Sequence, residues 1–209
     1  MKVLDFKKLK IPEVKILKFA NFTDERGYFT EVYRESDFVN ISIDFPSTFV
    51  QVNETYSKAG TFRGLHFQWN PYMGKLVRCI KGHLIDFALD IRLGSPTFGK
   101  IVAYEFRPQS NNDFNAWIWV PPGFAHGTLL LEDSFVEYFC TGEYSPNYEA
   151  GITIYDKDID WSFIEQEDVF NKIYWLQSIV YITKKDKNAF TLKQWKENLN
   201  SKEFEYEGK

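Results

Sequence analysis

The chain has 209 residues, with 25 Lys or Arg against 29 Asp or Glu, for a formal charge of −4 with its three histidines neutral. It has neither excess basic charge nor a basic stripe, which argues against a nucleic-acid partner held by phosphate neutralisation. Hydrophobic residues make up 44% and aromatic residues 18%; this excludes a disordered chain, and at this length one domain can bury about 70% of the surface that its unfolded form exposes.

At the N-terminus, MKVLDFKKLKIPEVKIL interrupts every apolar run with charge. It therefore lacks a signal-peptide core of roughly 7–15 residues, and no later run approaches the ~20 apolar residues of a membrane span, so a cytoplasmic location without a membrane partner is expected. Short β-branched and aromatic runs follow, separated by turn residues. The candidate strands are Val14 to Phe19, Tyr28 to Tyr33, Thr48 to Tyr56, Phe62 to Gln68, Lys75 to Ile80, His83 to Ile91, Lys100 to Phe106, Ala116 to Val120, Gly127 to Leu131 and Phe135 to Cys140. No helical crossover long enough for βαβ units separates them, so the expectation is an all-β antiparallel sandwich or small barrel. Helical spacing appears mainly after Trp161, in SFIEQEDVFNKIYW and TLKQWKENLNSK. Residues 162–209 are expected to be a partly helical region of the same single domain.

Strand alternation sorts the polar residues. In HLIDFALDIR, Ile85, Phe87 and Leu89 share one face and leave Asp86 and Asp90 with Leu84 and Ala88 on the other. In KLVRCIKG, Lys75 lies on the face of Val77 and Cys79; it is either a charge at the mouth of the barrel or a solvated residue at the start of an edge strand. Cys79 and Cys140 sit inside apolar runs and read as reduced, buried thiols.

His66, His83 and His126 raise the question of a metal. Metal-binding cupins, which are double-sheet jelly rolls, usually supply an HxH pair, a Glu and a later His. Here RGLHFQ has Gln68 where the second His would fall, although PPGFAHG keeps the later one. The ligand set is incomplete, which points to metal-free acid–base chemistry.

The segments RGLHFQ, GKLVRCIKGHLIDFALDIR, SPTFGK, PPGFAHG and EYFCTGEYSPNYE, with DERGYFTE and FVQVN upstream, occur in an order that resembles the dTDP-4-dehydrorhamnose 3,5-epimerase family. The resemblance runs from about Pro12 to Trp161 and resumes at ITKKDKNAFTL, Ile182 to Leu192. It implies an antiparallel double-sheet jelly-roll barrel of the cupin type with short C-terminal helices. It also implies a homodimer, a nucleotide-diphospho-4-keto-6-deoxyhexose as substrate, and no metal or dissociable cofactor.

The chemistry implied needs a base, an acid and a cation. A ketone at C4 acidifies the hydrogens at C3 and C5; removing one leaves an enolate, which inverts when a proton arrives on the opposite face. By the resemblance His66 is the base, since imidazole can take a carbon-bound proton near neutral pH. Asp186 is the carboxylate that holds its second nitrogen, Lys75 the cation at the keto oxygen, and Tyr138 the acid. Arg26 and Arg63 match arginines that grip the diphosphate, a task suited to a guanidinium fork. Glu31, Gln51 and Asn53 match residues around nucleotide and sugar, Glu149 and Lys185 further substrate contacts, His126 a histidine near the reacting sugar, and Tyr144 an aromatic that stacks on the base. A bulge at Gly64 would let Arg63 and His66 reach one pocket despite strand alternation. His83, Asp86 and Asp90 are expected only to hydrogen-bond within the barrel wall.

The chain departs from the family pattern in its AWIWVP strand, where the family has an RQLWIP-like one, and in an altered, helical connection to Asp186. IYDKDIDWSF lacks the usual Asp-Pro and Trp-Pro, Val52 occupies a position that is often acidic, and Lys193 to Lys209 forms a polar extension of unassigned role. Rival readings are a C3-only epimerase, an enzyme for a GDP- or CDP-linked sugar, a non-catalytic nucleotide-sugar-binding barrel, and a metal cupin oxygenase.

Overall fold

The computed structural model describes residues 3–38, 45–46, 48–108, 113–165, 176 and 179–208. Two antiparallel sheets face each other. The first runs in the order β1 (Val3–Lys8), β2 (Lys15–Ala20), β10 (Phe114–Val120), β7 (Lys75–Lys81), β12 (Ser134–Cys140), β5 (Gln51–Ser57). The second runs β13 (Glu149–Gly151), β6 (Phe62–Gln68), β11 (Phe124–Leu130), β8 (Leu84–Asp90), β9 (Ile101–Phe106). Neighbours in sequence lie in different places, as in a double-sheet jelly roll, and a hairpin of β3 (Phe22–Asp24) and β4 (Gly27–Phe29) stands apart.

Three apolar layers explain the composition. Ile16, Val77, Ile118 and Val136 of the first sheet meet Leu84, Ala88, Val102 and Leu130 of the second between the sheets. Lys75 starts the strand whose Val77 and Cys79 belong to this inner layer, so its side chain is on the interior side. On the back of the second sheet, Ile85, Phe87, Leu89 and Phe67 pack beneath Ile152, Leu192, Trp195 and Phe204. On the back of the first, Leu17, Leu76, Trp117 and Phe139 lie beneath Phe38 and Phe45, with Tyr33 and Phe49 beside them. Both faces of the central strands are thus covered, which is why β8 is buried at every position.

The C-terminal extension is a structural cover, which gives a role to a stretch whose polar sequence assigns none. Thr191 and Gln194 form a capping box that starts a helix at Leu192–Glu197, and a 3-10 turn follows at Leu199–Phe204. Trp195 is fully buried with its ring edge-on to Phe67, centroids 4.6 Å apart. Burying such a side chain is worth roughly 1.5–3 kcal/mol, so the polar surface of KQWKENLNSK hides an anchored inner face. Of the helical spacing in SFIEQEDVFNKIYW, residues 166–175 lie outside the described residues, and its beginning is a 3-10 turn, Trp161–Phe163. The expected strand from Tyr28 to Tyr33 is only the short β4; residues 30–34 leave the hairpin to pack Val32 and Tyr33 on the first sheet.

Strand β6 carries the irregularity that matters. His66 pairs with His126 on β11, but Arg63 pairs with Thr128, so β6 spends one extra residue there. Gly64 sits in this bulge at φ 127°, and a Cβ on it would lie 2.5 Å from Gly127 Cα and 2.7 Å from the His126 carbonyl oxygen. Glycine is required here on both counts.

Candidate active site

The bulge turns Arg63 and His66, an odd number of residues apart, toward one cleft. This hollow of about 600 Å3 is lined by both, by His126 and Thr128 of β11, by Tyr138 of β12, and by the segment carrying Lys185 and Asp186. A second hollow of about 410 Å3 is lined by Gln51, Asn53, Lys75, Tyr144 and Glu149. His66 and Tyr138 line both, so the two hollows meet between an imidazole on one sheet and a phenol on the other.

His66 Nε2 lies 2.7 Å from Asp186 Oδ1. The imidazole side chain is 32% exposed and the carboxylate only 5%, so one end of the pair faces the cleft and the other is sealed. Asp186 stands in the single turn Lys184–Lys187, where the Thr183 hydroxyl caps its backbone N–H at 3.0 Å. Burial pushes this carboxyl up, but hydrogen bonds from His66, Thr183 and the Gly64 backbone outweigh it and hold the group below the usual carboxylate range. An ionised Asp186 accepts only, so the proton on His66 sits at Nε2 and leaves Nδ1 as the free lone pair.

Across the cleft, burial is the main reason that the Tyr138 phenol is pushed up, with Asn53 hydrogen-bonded to it. The group stays protonated at neutral pH. Lys75 is pushed down by burial, against the opposing pull of Cys140, Asp86 and Glu149. Tyr144 Oη donates to Glu149 Oε1 at 3.0 Å, Lys185 pairs with the same oxygen, and the Tyr144 N–H donates to Gln51 at 2.8 Å. Gln51 in turn donates to Asn53 at 2.9 Å. Arg63 Nε donates to Ser57 at 2.8 Å and its Nη2 to the Tyr56 carbonyl at 3.5 Å, and the residue is exposed.

Arg26 and Glu31 line neither hollow of the single chain. Arg26, 84% exposed, caps the β3–β4 hairpin and pairs with Asp24 at 2.6 Å, and Glu31 pairs with Arg34. Gln68 is buried as a loop clamp: its amide donates at 2.9 Å to the carbonyls of Pro71 and Glu143 and accepts from Ser145 at 2.8 Å. Among the described residues no three His, Cys, Asp or Glu side chains are grouped as metal ligands.

The barrel-wall histidine and carboxylates divide into two kinds. His83 meets Glu105, and Asp90 gathers Arg92, Ser95 and Thr97 away from the cleft. Asp86 instead reaches His126 inside the cleft, at 2.9 Å. Its alternation with Leu84 and Ala88 is the sequence signal that could have found it.

A family model described as dTDP-4-dehydrorhamnose 3,5-epimerase matches residues 8–194. The chain belongs to the dTDP-4-dehydrorhamnose 3,5-epimerase family. Its curated relative from Sinorhizobium fredii, which bears the same name, is 45% identical over 150 residues, 70% of this chain and 74% of the relative. The crystal structure of a dTDP-6-deoxy-D-glucose-3,5-epimerase from Legionella pneumophila, solved in complex with dTDP-4-keto-L-rhamnose, superposes with a TM-score of 0.79 at 31% identity and covers 98% of this chain and 99% of that one. A 3′-monoepimerase from Streptomyces bikiniensis in complex with dTDP-quinovose superposes at 0.74 with 27% identity, covering 91% and 89%. One fold therefore serves enzymes named for one inverted centre and for two.

Proposed function

We propose that the protein is an epimerase that inverts C3 and C5 of a dTDP-linked 4-keto-6-deoxyhexose, a step of dTDP-rhamnose formation. The observation that carries this reading is the His66–Asp186 pair facing Tyr138 where the two hollows meet. His66 Nδ1 removes a proton from the carbon beside the ketone, and Asp186 stabilises the imidazolium through Nε2. The electrons move into the C4 carbonyl, whose oxygen becomes an enolate opposite the Lys75 ammonium. Tyr138, on the other sheet, delivers a proton to the opposite face, and water restores both groups. A second round at the other carbon needs only that the ring turn in the cleft.

Arg63 holds the diphosphate, while Gln51, Asn53, His126, Tyr144, Glu149 and Lys185 contact nucleotide and sugar. Arg26 and Glu31 serve the site of a partner subunit in a homodimer. What supports this is their absence from either hollow of their own chain, together with exposed Val50, Val52 and Tyr56 on and beside edge strand β5. Light scattering should then give twice the chain mass, and a monomer at working concentration would refute it. No helix among the described residues is long and apolar enough to cross a membrane, in keeping with a cytoplasmic site of action.

Incubation in D2O with dTDP-4-keto-6-deoxyglucose, followed by NMR, tests the function. Deuterium at both C3 and C5 is the expected result. Label at C3 alone would make the protein a mono-epimerase, label only with GDP- or CDP-linked sugars would move the nucleotide assignment, and label with none would leave a binding barrel.

A further inference from the structure

A second imidazole in the cleft is also backed by a buried carboxylate. His126 is the direct cross-strand neighbour of His66 and lines the same hollow. Its Nε2 lies 3.0 and 2.9 Å from the two oxygens of Asp86. Asp86 has no exposed side-chain surface, and it projects from the face of β8 whose Leu84 and Ala88 belong to the inner core. A carboxylate so placed is tolerated only with partners. Contact with both oxygens fixes the ring, so His126 donates from Nε2 and presents Nδ1, which has no partner among the described residues, to the cleft. Burial pushes the Asp86 carboxyl up, against His126 and Lys75, which pull it down; Lys75, only half-buried, starts β7 on the inner side of the facing sheet and is also acted on by Cys140 and Glu149.

We propose that Asp86 is a positioning residue of the epimerase, which fixes His126 by Nε2 so that Nδ1 meets the sugar ring and supplies the buried countercharge that keeps Lys75 protonated beside the keto oxygen. The inference rests on the reading of the cleft given above. Its chemistry is that of a shared counterion: one negative charge, out of reach of substrate, organises a donor and a cation that both face the developing enolate. The groups that face this pair from neighbouring strands are Tyr104 of β9, His126 of β11, Tyr138 and Cys140 of β12, Glu149 of β13 and His66 of β6.

Deuterium incorporation measured against pH for the full chain tests the role, with Asp86→Asn compared with Asp90→Asn, a carboxylate on the same strand face that serves only Arg92, Ser95 and Thr97. Asp86→Asn should lower the rate roughly 10–100-fold. It should also move the alkaline limb, where Lys75 loses its proton, to lower pH. Asp90→Asn should lower the melting temperature and leave that limb in place. An active wild-type protein whose Asp86→Asn variant keeps both rate and limb would overturn the proposal. Nitrogen-15 NMR of the histidines in the unaltered protein gives a readout that needs neither turnover nor a folded variant. His126 is expected to carry its proton at Nε2, and the tautomer with the proton on Nδ1 would overturn the proposal. A wild-type protein that exchanges no deuterium would contradict the proposed function instead, and the tautomer would still decide the role of Asp86.

Discussion

Asp186 shows how little a local sequence says about burial. KKDK reads as a solvated stretch, yet its aspartate is 4% exposed because Thr183 caps the turn, the Gly64 N–H points at the carboxylate, and His66 closes the other side. Its depressed pKa has a consequence for stability. A carboxyl whose folded value lies below its ordinary 3.8 contributes stability that is fully present above that value and is lost as pH falls through the folded one. Asp186→Asn should therefore flatten the acid side of a urea-midpoint against pH curve; an unchanged slope would mean that the pair contributes nothing to folding. The same variant should lower turnover by roughly 10²–10⁴-fold, since an amide neither compensates an imidazolium nor selects its tautomer. His66 and Lys75 were more legible. The first lies in a strand whose alternation is broken by one glycine, and the second shares a face with Val77 and Cys79, which puts it inside once that face is known to be inner.

At the scale of elements, strands with long apolar alternation were legible and short ones were not. The boundaries of β6 are those expected from FRGLHFQ, and β12 differs from its expected span by one residue. Strands β1, β3 and β13 were not foreseen: β1 is charged at Asp5, Lys7 and Lys8 and is largely exposed, and the other two are only three residues long. Their pairing partners, distant in sequence or supplied by a hairpin turn, make them strands. The bulge in β6 was foreseen because two functional residues on opposite faces of a regular strand cannot serve one pocket. It is also testable. Gly64→Ala places a methyl group against the backbone of Gly127 at a positive φ, so it should cost roughly 2–4 kcal/mol. It should also lower activity more than the lost folded fraction explains, since Gly64 also bonds Asp186. A variant with unchanged melting temperature would contradict the tight approach.

For the molecule as a whole, the two sheets do separate jobs. The second sheet, stiffened from behind by Trp195 and Phe204, presents the base, and the first presents phenol and ammonium. Sequence periodicity shows that both sheets exist but not which strands face which, because that depends on loops whose apolar residues look like ordinary surface. The central claim is that proton removal and proton delivery come from opposite sheets. Solvent exchange and inversion, followed together in D2O for His66→Ala and Tyr138→Phe, test it most directly. Without His66 both exchange and epimerised product should fall by roughly 10²–10⁴-fold. Without Tyr138 the product should fall by a similar factor while deuterium still enters the starting sugar from the His66 side. A folded His66→Ala protein that exchanges deuterium at the wild-type rate would contradict the account.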